Sequence, residues 1–242
     1  MKLTGYKALS FDCYGTLINW EVGLTAVLGP WARSHGSDLD DETLLSAYAE
    51  HEARIERENP AEPYPAILAA SLEALGQQFV VGVSPEEAHS LAVSVPDWPA
   101  YDDSHDALVA LGRHFKLVIL SNVDRLSFAA SNRRLDVVFD LVLTAEDIGS
   151  YKLAARNFDV LLDRTARLGI SPDRLLHVAQ SLFHDHVPAK RAGLATVWIN
   201  RRHGRPGWGA TPAPPDGVRP DWEFKSMAEF AAAVESESQA LG

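Results

Sequence analysis

Four short stretches of this chain carry residue types able to do chemistry: Asp12-Cys13-Tyr14-Gly15-Thr16, Ser121-Asn122, Gly149-Ser150-Tyr151-Lys152 and His184-Asp185-His186. Asp12 ends the apolar run Ala8-Leu9-Ser10-Phe11, so it reads as a carboxylate mounted where a buried strand opens into a loop. A carboxylate is already ionised at pH 7 and attacks carbon without a base. It does need a cation to hold it and keep its pKa low, and Lys152 is the candidate. Attack leaves an ester on Asp12 that water must cleave, and Asp185 is the candidate to position or deprotonate that water. Ser121 and Asn122 supply donors for an anionic group, and the Tyr14-Gly15-Thr16 turn adds backbone amides. His184 completes the candidate substrate-binding set of Tyr14, Gly15, Thr16, Ser121, Asn122 and His184. His-Asp-His at 184–186 is too tight a cluster to meet tetrahedral geometry by itself, so neither metal nor cofactor is expected. Each feature has a plainer reading alone: strand-end Asp and Ser cap turns and helices, and a lone Lys is usually a solvated charge. The combination is what points to a site.

The elements that must position these residues are legible in outline. Five β-rich runs stand out, Ala8 to Phe11, Phe115 to Leu120, Leu141 to Thr144, Leu175 to Ala179 and Ala195 to Ile199. Helical patterns separate the last four, which predicts an α/β fold with a Rossmann-like parallel sheet. Between the first two runs lie about a hundred residues with helical spacing only. Leu24, Val27, Leu28 and Trp31 mark one helix, ended by Gly36; Leu44, Leu45, Tyr48 and Ile55 mark a second. Ile67, Leu68, Leu72 and Leu75 mark a third, stopped by Gly76, and Ser84-Pro85-Glu86-Glu87 opens a fourth with a capping box. The expected organisation is a discontinuous catalytic core, 1–17 and 98–242, with an all-helical cap over 18–97. A Gly- and Pro-rich loop from Gly204 to Pro220 precedes a final helix from Ser226.

Composition narrows the partners. The 22 Lys and Arg face 33 Asp and Glu, a formal net charge of −11, which argues against nucleic acid and anionic membranes. The basic stretch Arg201-Arg202-His203-Gly204-Arg205 reads as a loop pairing with acidic neighbours or bordering the site. The single cysteine, Cys13, excludes an internal disulfide and fits a reducing, cytoplasmic setting, where it reads as a small packed side chain. The N-terminus lacks the apolar core of a signal peptide, and no run reaches the length of a membrane span.

Asp-x-Tyr-Gly-Thr, the Ser-Asn pair, the later Lys and the late Asp resemble, in order and spacing, the haloacid dehalogenase superfamily. The chain is most similar to its type II 2-haloacid dehalogenase group. Within that group it resembles the L-azetidine-2-carboxylate hydrolases, over Phe11 to Leu17, Leu117 to Asn122, Asp147 to Lys152, Leu182 to Pro188 and Arg201 to Gly204. The resemblance implies Asp12 as nucleophile, Ser121 and Asn122 at the substrate, Lys152 as charge partner, Asp185 as late acid, and a homodimer as a common assembly. Two departures stand out. The second cap helix reads Tyr48-Ala49-Glu50-His51-Glu52 where dehalogenases carry an arginine, with Arg54 a turn away as a substitute. Leu182 replaces an asparagine.

Three functions compete. One is a metal-free hydrolase expelling halide, or the ring nitrogen of azetidine-2-carboxylate, from C2 of a small 2-substituted carboxylate. A second is a Mg-dependent phosphomonoesterase, which needs an acid where Tyr14 stands to protonate the leaving alkoxide. A third is an idle binding module, against which Asp12, Lys152 and Asp185 speak. Tyr14 favours the first. The missing arginine tilts it toward the azetidine substrate, with Glu50, Glu52 and Glu56 as candidate partners for an ammonium.

Overall fold

Three-residue turns aside, the chain alternates strands and helices around one sheet; the computed structural model describes residues 2–240. The strands are β1 Ala8–Phe11, β2 Lys116–Ser121, β3 Leu141–Thr144, β4 Leu175–Ala179, β5 Ala195–Ile199 and β6 Trp222–Phe224. All neighbours pair in parallel, in the order β3-β2-β1-β4-β5-β6. This is the expected α/β sheet with one strand more. β6 escapes the sequence reading because three residues, Trp-Glu-Phe, are too few to show alternation; they pair only because β5 offers a free edge. β2 also begins at Lys116 rather than Phe115.

Every residue of β1 is fully buried, which suits a central strand covered on both faces. The order places β1 where the connections diverge, one way to β2 and the other to β4. Ligands of open α/β sheets bind at such a point, beyond the carboxyl ends of the strands. Asp12 follows β1 directly, Ser121 ends β2, and Gln180-Ser181 follows β4.

Between β1 and β2 the chain builds α1 Trp20–Ser34, α2 Asp41–Glu58, α3 Tyr64–Phe79 and α4 Pro85–Ala92 before returning through α5 Ser104–Leu111. It leaves and re-enters through a paired neck: Ile18 bridges Ala100, Asn19 N–H donates to Pro99 O and Tyr101 N–H to Leu17 O. Local chemistry explains the helix starts. Asp40 accepts the Thr43 N–H at 2.8 Å to cap α2, and Ser84 and Glu87 form the reciprocal box that opens α4. Gly76 does not stop α3, which continues to Phe79. A Cβ there would lie 2.5 Å from Val83 and 2.7 Å from the Val81 carbonyl, so the glycine permits close packing instead. The remaining helices are α6 Arg125–Leu135, α7 Ala145–Ile148, α8 Ala155–Arg167, α9 Val187–Arg191 and α10 Met227–Gln239, the last capped by Ser226 as expected. Among the described residues no helix is long and apolar enough to cross a membrane.

The insertion and the sheet meet through Trp98, which is 1% exposed and donates its indole N–H to Ser94 Oγ. Its ring meets that of Tyr14 edge-on at 5.6 Å, so it also buttresses the loop after Asp12. On α1, a Cβ at Gly23 would stand 2.2 Å from Trp98 Cγ. Gly23→Ala is therefore expected to destabilise by about 1–3 kcal/mol through overpacking, despite alanine's helix preference. A calorimetric Tm unchanged or raised in Gly23→Ala would show that this contact does not fix the insertion.

Candidate active site

Asp12, 6% exposed, is held from two sides: its Oδ1 accepts from Lys152 Nζ at 2.8 Å and its Oδ2 from Thr16 Oγ1 at 2.8 Å. Lys152 arrives from the loop after α7, with its side chain 2% exposed. Its ammonium donates to Asp12, to Asp185 Oδ1 at 2.6 Å and to the Leu120 carbonyl at 3.1 Å. All three protons have acceptors. Asp185 lies in a five-residue turn of wide helix, Leu182–His186, and its Oδ1 also meets His177 Nε2 at 3.1 Å. His177 in turn shares a hydrogen bond with Ser10 Oγ on β1. Sequence reasoning missed His177, although an ionisable residue inside the buried strand Leu-Leu-His-Val-Ala was the signal.

Lys152 is bonded to both aspartates, and burial acts on all three groups. Burial raises the Asp12 pKa, with Lys152 opposing and the charge of Asp185 adding to the rise. Burial also acts to raise Asp185, but Lys152 and His177 outweigh it and hold its carboxyl far below the usual range. The same pair of carboxylates overcomes desolvation at Lys152 and raises its pKa, so the ammonium is permanent. Lys152 thus acts to lower Asp12, as expected, but burial outweighs it there.

Asp12, Tyr14, Ser121, Asn122, Lys152, His184 and Asp185 line one small cavity of about 30 Å³, with Trp20, Glu52, Glu56, Tyr64, Val123 and Ser181 completing it. Three buried polar atoms of its lining have no partner: Ser121 Oγ, His184 Nε2 and Asp185 Oδ2. Buried polar atoms in folded proteins are nearly always paired, so three around one cavity mark a place built to receive a polar ligand. Burial lowers His184 to about 4, so its ring is neutral at pH 7.

Several candidates take other places. Gly15, at φ +89°, donates its N–H to Ile18 O and lines a neighbouring cleft, not this cavity. Thr16 stands behind Asp12, bonded to it and to the Gln180 N–H. Asn122 has no free donor: its amide N–H groups go to Glu56 and the Lys152 carbonyl, while its Oδ1 accepts the Lys152 N–H at 2.7 Å. It positions Lys152 and Glu56. The Tyr14 hydroxyl is tied to Ser131 Oγ at 2.7 Å and burial pushes its pKa well up, so it offers no acid. Arg54 points outward to Glu58, and Glu50 is exposed. The basic loop pairs with acids, as its charge implied. Arg201 clasps the Thr16 carbonyl, Asp103 and the Tyr101 ring, and Arg202 joins Glu21 of α1 to Glu42 of α2. Among the described residues no group of three His, Cys, Asp or Glu is placed to hold a metal ion.

The fold has solved counterparts. Over 95% of this chain and 98% of the other, it superposes on the L-2-haloacid dehalogenase of Xanthobacter autotrophicus with chloropropionic acid covalently bound, at TM-score 0.74 and 17% identity. The L-2-haloacid dehalogenase RSc1362 gives TM-score 0.77 at 21% identity over 96% of this chain and 99% of that one. The fold is that of the L-2-haloacid dehalogenases. In sequence, 94 residues are 31% identical to the pyrimidine 5'-nucleotidase YjjG of Escherichia coli (strain K12). That match spans 38% of this chain and 36%, little more than a third, of the nucleotidase. No family model matches the chain.

On this dehalogenase fold, the insertion presents acids to the cavity. Glu52 and Glu56 of α2 are 2% and 3% exposed. Burial raises Glu52 from 4.5 to about 7 against the hydroxyls of Tyr48 and Tyr64, and burial with the nearby Glu52 raises Glu56 well above its ordinary value. A carboxyl whose pKa is higher folded than unfolded holds an extra proton in the folded state between those values, so stability falls as pH rises through that window. The buried His184 and His186, lowered to about 4, add stability with rising pH only up to about 6.5, so from pH 6.5 to 8 the ligand-free protein should lose Tm with rising pH. Asp185, displaced downward, would cost stability only in the acid range below. Glu52→Gln should flatten the slope. A wild-type Tm that is level or climbs from pH 6.5 to 8 would rule out these buried acids as its source.

Proposed function

We propose that the chain is a hydrolase of the haloacid dehalogenase type, in which Asp12 displaces a leaving group at C2 of a small 2-substituted carboxylate. The observation that carries this reading is the Lys152 ammonium, which bridges Asp12 and Asp185 on the wall of a small cavity. In the first step an Asp12 oxygen bonds to C2 as the bond to the leaving group breaks, giving an aspartyl ester. In the second, Asp185 Oδ2, which has no protein partner, accepts the hydrogen bond that orients a water toward the ester carbonyl carbon. With its pKa depressed, Asp185 serves as an orienting group more than as a strong base. Ser121 Oγ is the free donor for the substrate carboxylate.

For the leaving group, we favour the ring nitrogen of L-azetidine-2-carboxylate over halide. Lys152, the one cation lining the cavity, already has three acceptors, and Glu52 and Glu56 line the same space. A carboxyl there gives a departing halide no donor cation and, when ionised, repels it, whereas a ring ammonium would favour its ionised form. The ring nitrogen leaves as a neutral amine carrying both its protons. Cleavage of the ester then releases one proton from water, which restores the ammonium.

The partial match to a nucleotidase favours a second reading, a phosphomonoesterase. That chemistry asks for a proton donor at Tyr14 and a divalent cation. Tyr14 is bound to Ser131, and Asp12 and Asp185 each give an oxygen to Lys152, a donor set poor for a hard cation.

Two outcomes follow. Asp12→Asn should fold with unchanged circular dichroism and lose more than about 10³-fold in kcat, because an amide is a poor nucleophile. Single turnover of wild type in ¹⁸O-water should place the label in Asp12 by peptide mass spectrometry; label in the product alone would remove the ester. Ring opening of L-azetidine-2-carboxylate, followed by amine assay, should outpace halide release from 2-chloropropionate and persist in EDTA. Activity that EDTA silences and Mg²⁺ restores, on a phosphate ester, would install the phosphatase instead.

A further inference from the structure

The acidic wall of the cavity is asymmetric. Glu56 is satisfied by Asn122, whose Nδ2 stands 3.0 and 3.2 Å from its two oxygens. Glu52 is held differently. The hydroxyls of Tyr48 and Tyr64 both donate to the same oxygen, Oε1, at 2.7 and 2.9 Å. No other hydrogen bond reaches the side chain, so its second oxygen, Oε2, is unpartnered on a residue 2% exposed that lines the cavity. Two donors on one oxygen favour the ionised form and fix the plane of the carboxylate, leaving one acceptor edge presented. Ser121 Oγ, an unpartnered donor, lines the same small space. An open carboxyl edge on the insertion and a free donor on the sheet are complementary to a molecule with an ammonium at one end and a carboxylate at the other.

Resting on the hydrolase reading above, we propose that Glu52, aimed by Tyr48 and Tyr64, is the receptor for the substrate's ammonium and thereby sets specificity for small amino acids over their uncharged analogues. Glu52 binds the substrate and takes no part in bond-making. Its alignment depends on both tyrosines: Tyr48 sits one turn earlier on α2, and Tyr64 opens α3, so the receptor is built at the junction of two insertion helices. Glu56 plays a separate part, keeping Asn122 and hence the Lys152 backbone in place.

The test separates the two charges of the substrate with inert probes. Azetidinium carries the ring cation without the carboxylate, and cyclobutanecarboxylate carries the carboxylate without the nitrogen. Isothermal titration should show azetidinium binding to wild type and at least tenfold more weakly to Glu52→Gln, which keeps an acceptor for the tyrosines but removes the charge. Cyclobutanecarboxylate should bind Glu52→Gln as well as wild type or better, since a repelling anion is gone. Equal losses for both probes would mean a merely structural role and overturn the proposal. So would wild type failing to bind azetidinium, a result that needs no variant. Either failure would leave the Asp12 ester reading standing or falling on ¹⁸O labelling alone.

Discussion

The site depends on one buried ammonium. Lys152 Nζ, with its side chain 2% exposed, holds together three carboxyl ends of the sheet: Asp12 after β1, the Leu120 carbonyl of β2 and Asp185 after β4. Burying one unpaired charge costs several kcal/mol, so each of the three groups is tolerable inside only because the others are there. The same constraint explains the shell around it. His177 and Ser10 close the ladder behind Asp185, Thr16 fixes the second oxygen of Asp12, and Asn122 pins the backbone of Lys152 itself. A lysine here does the work a divalent cation would do between two aspartates, and it does so with fixed, directional donors.

The strand ends were legible because an apolar run that stops at a polar residue leaves a signal within a few residues. Asp12 and Ser121 sit in such windows; Lys152, in the loop after α7, and Asp185, beyond β4, meet them around one cavity. What stayed hidden is where each side chain found its partner. Asn122 reads as a ligand donor until Glu56, 66 residues away, is seen to take its amide. Gly15 and Thr16 sit in an anion-cradling sequence, yet their groups go to Ile18 and Asp12 within the turn. The periodicity of α2 and α3 located the helices without saying that Tyr48, Glu52 and Tyr64 share one face with the site. Heptapeptide context carries strand-end chemistry; contacts between elements it does not.

The division between sheet and insertion is a division of labour by charge. The sheet supplies one lysine shared between two aspartates. The insertion adds Glu52 and Glu56, so the cavity as a whole is rich in carboxylates. These acids are costly where they stand, as their raised pKa values show. Arg201 and Arg202 secure the arrangement from the far side. Arg201 fastens the loop after Asp12 to the core, and Arg202, its side chain 10% exposed, ties α1 and α2 together at the same edge.

Leaving-group chemistry is the point at which these two halves must agree. Halide departs as an anion and needs a cation on the side opposite the nucleophile, which this cavity does not have beyond Lys152. A ring nitrogen departs as a neutral amine and regains a proton only when water cleaves the ester. Until then the site must hold it without a cation of its own. On the hydrolase reading, Glu52, raised by burial to about 7, suits that interval: it pairs as an anion with the substrate ammonium, and the proton that ester cleavage releases returns the charge to the nitrogen. An acidic insertion over a lysine-centred sheet therefore suits the proposed ammonium-bearing substrate, whose leaving nitrogen is neutral, better than one that expels an anion. The chemistry at Asp12 would be the same for both, and the choice between them rests with α2.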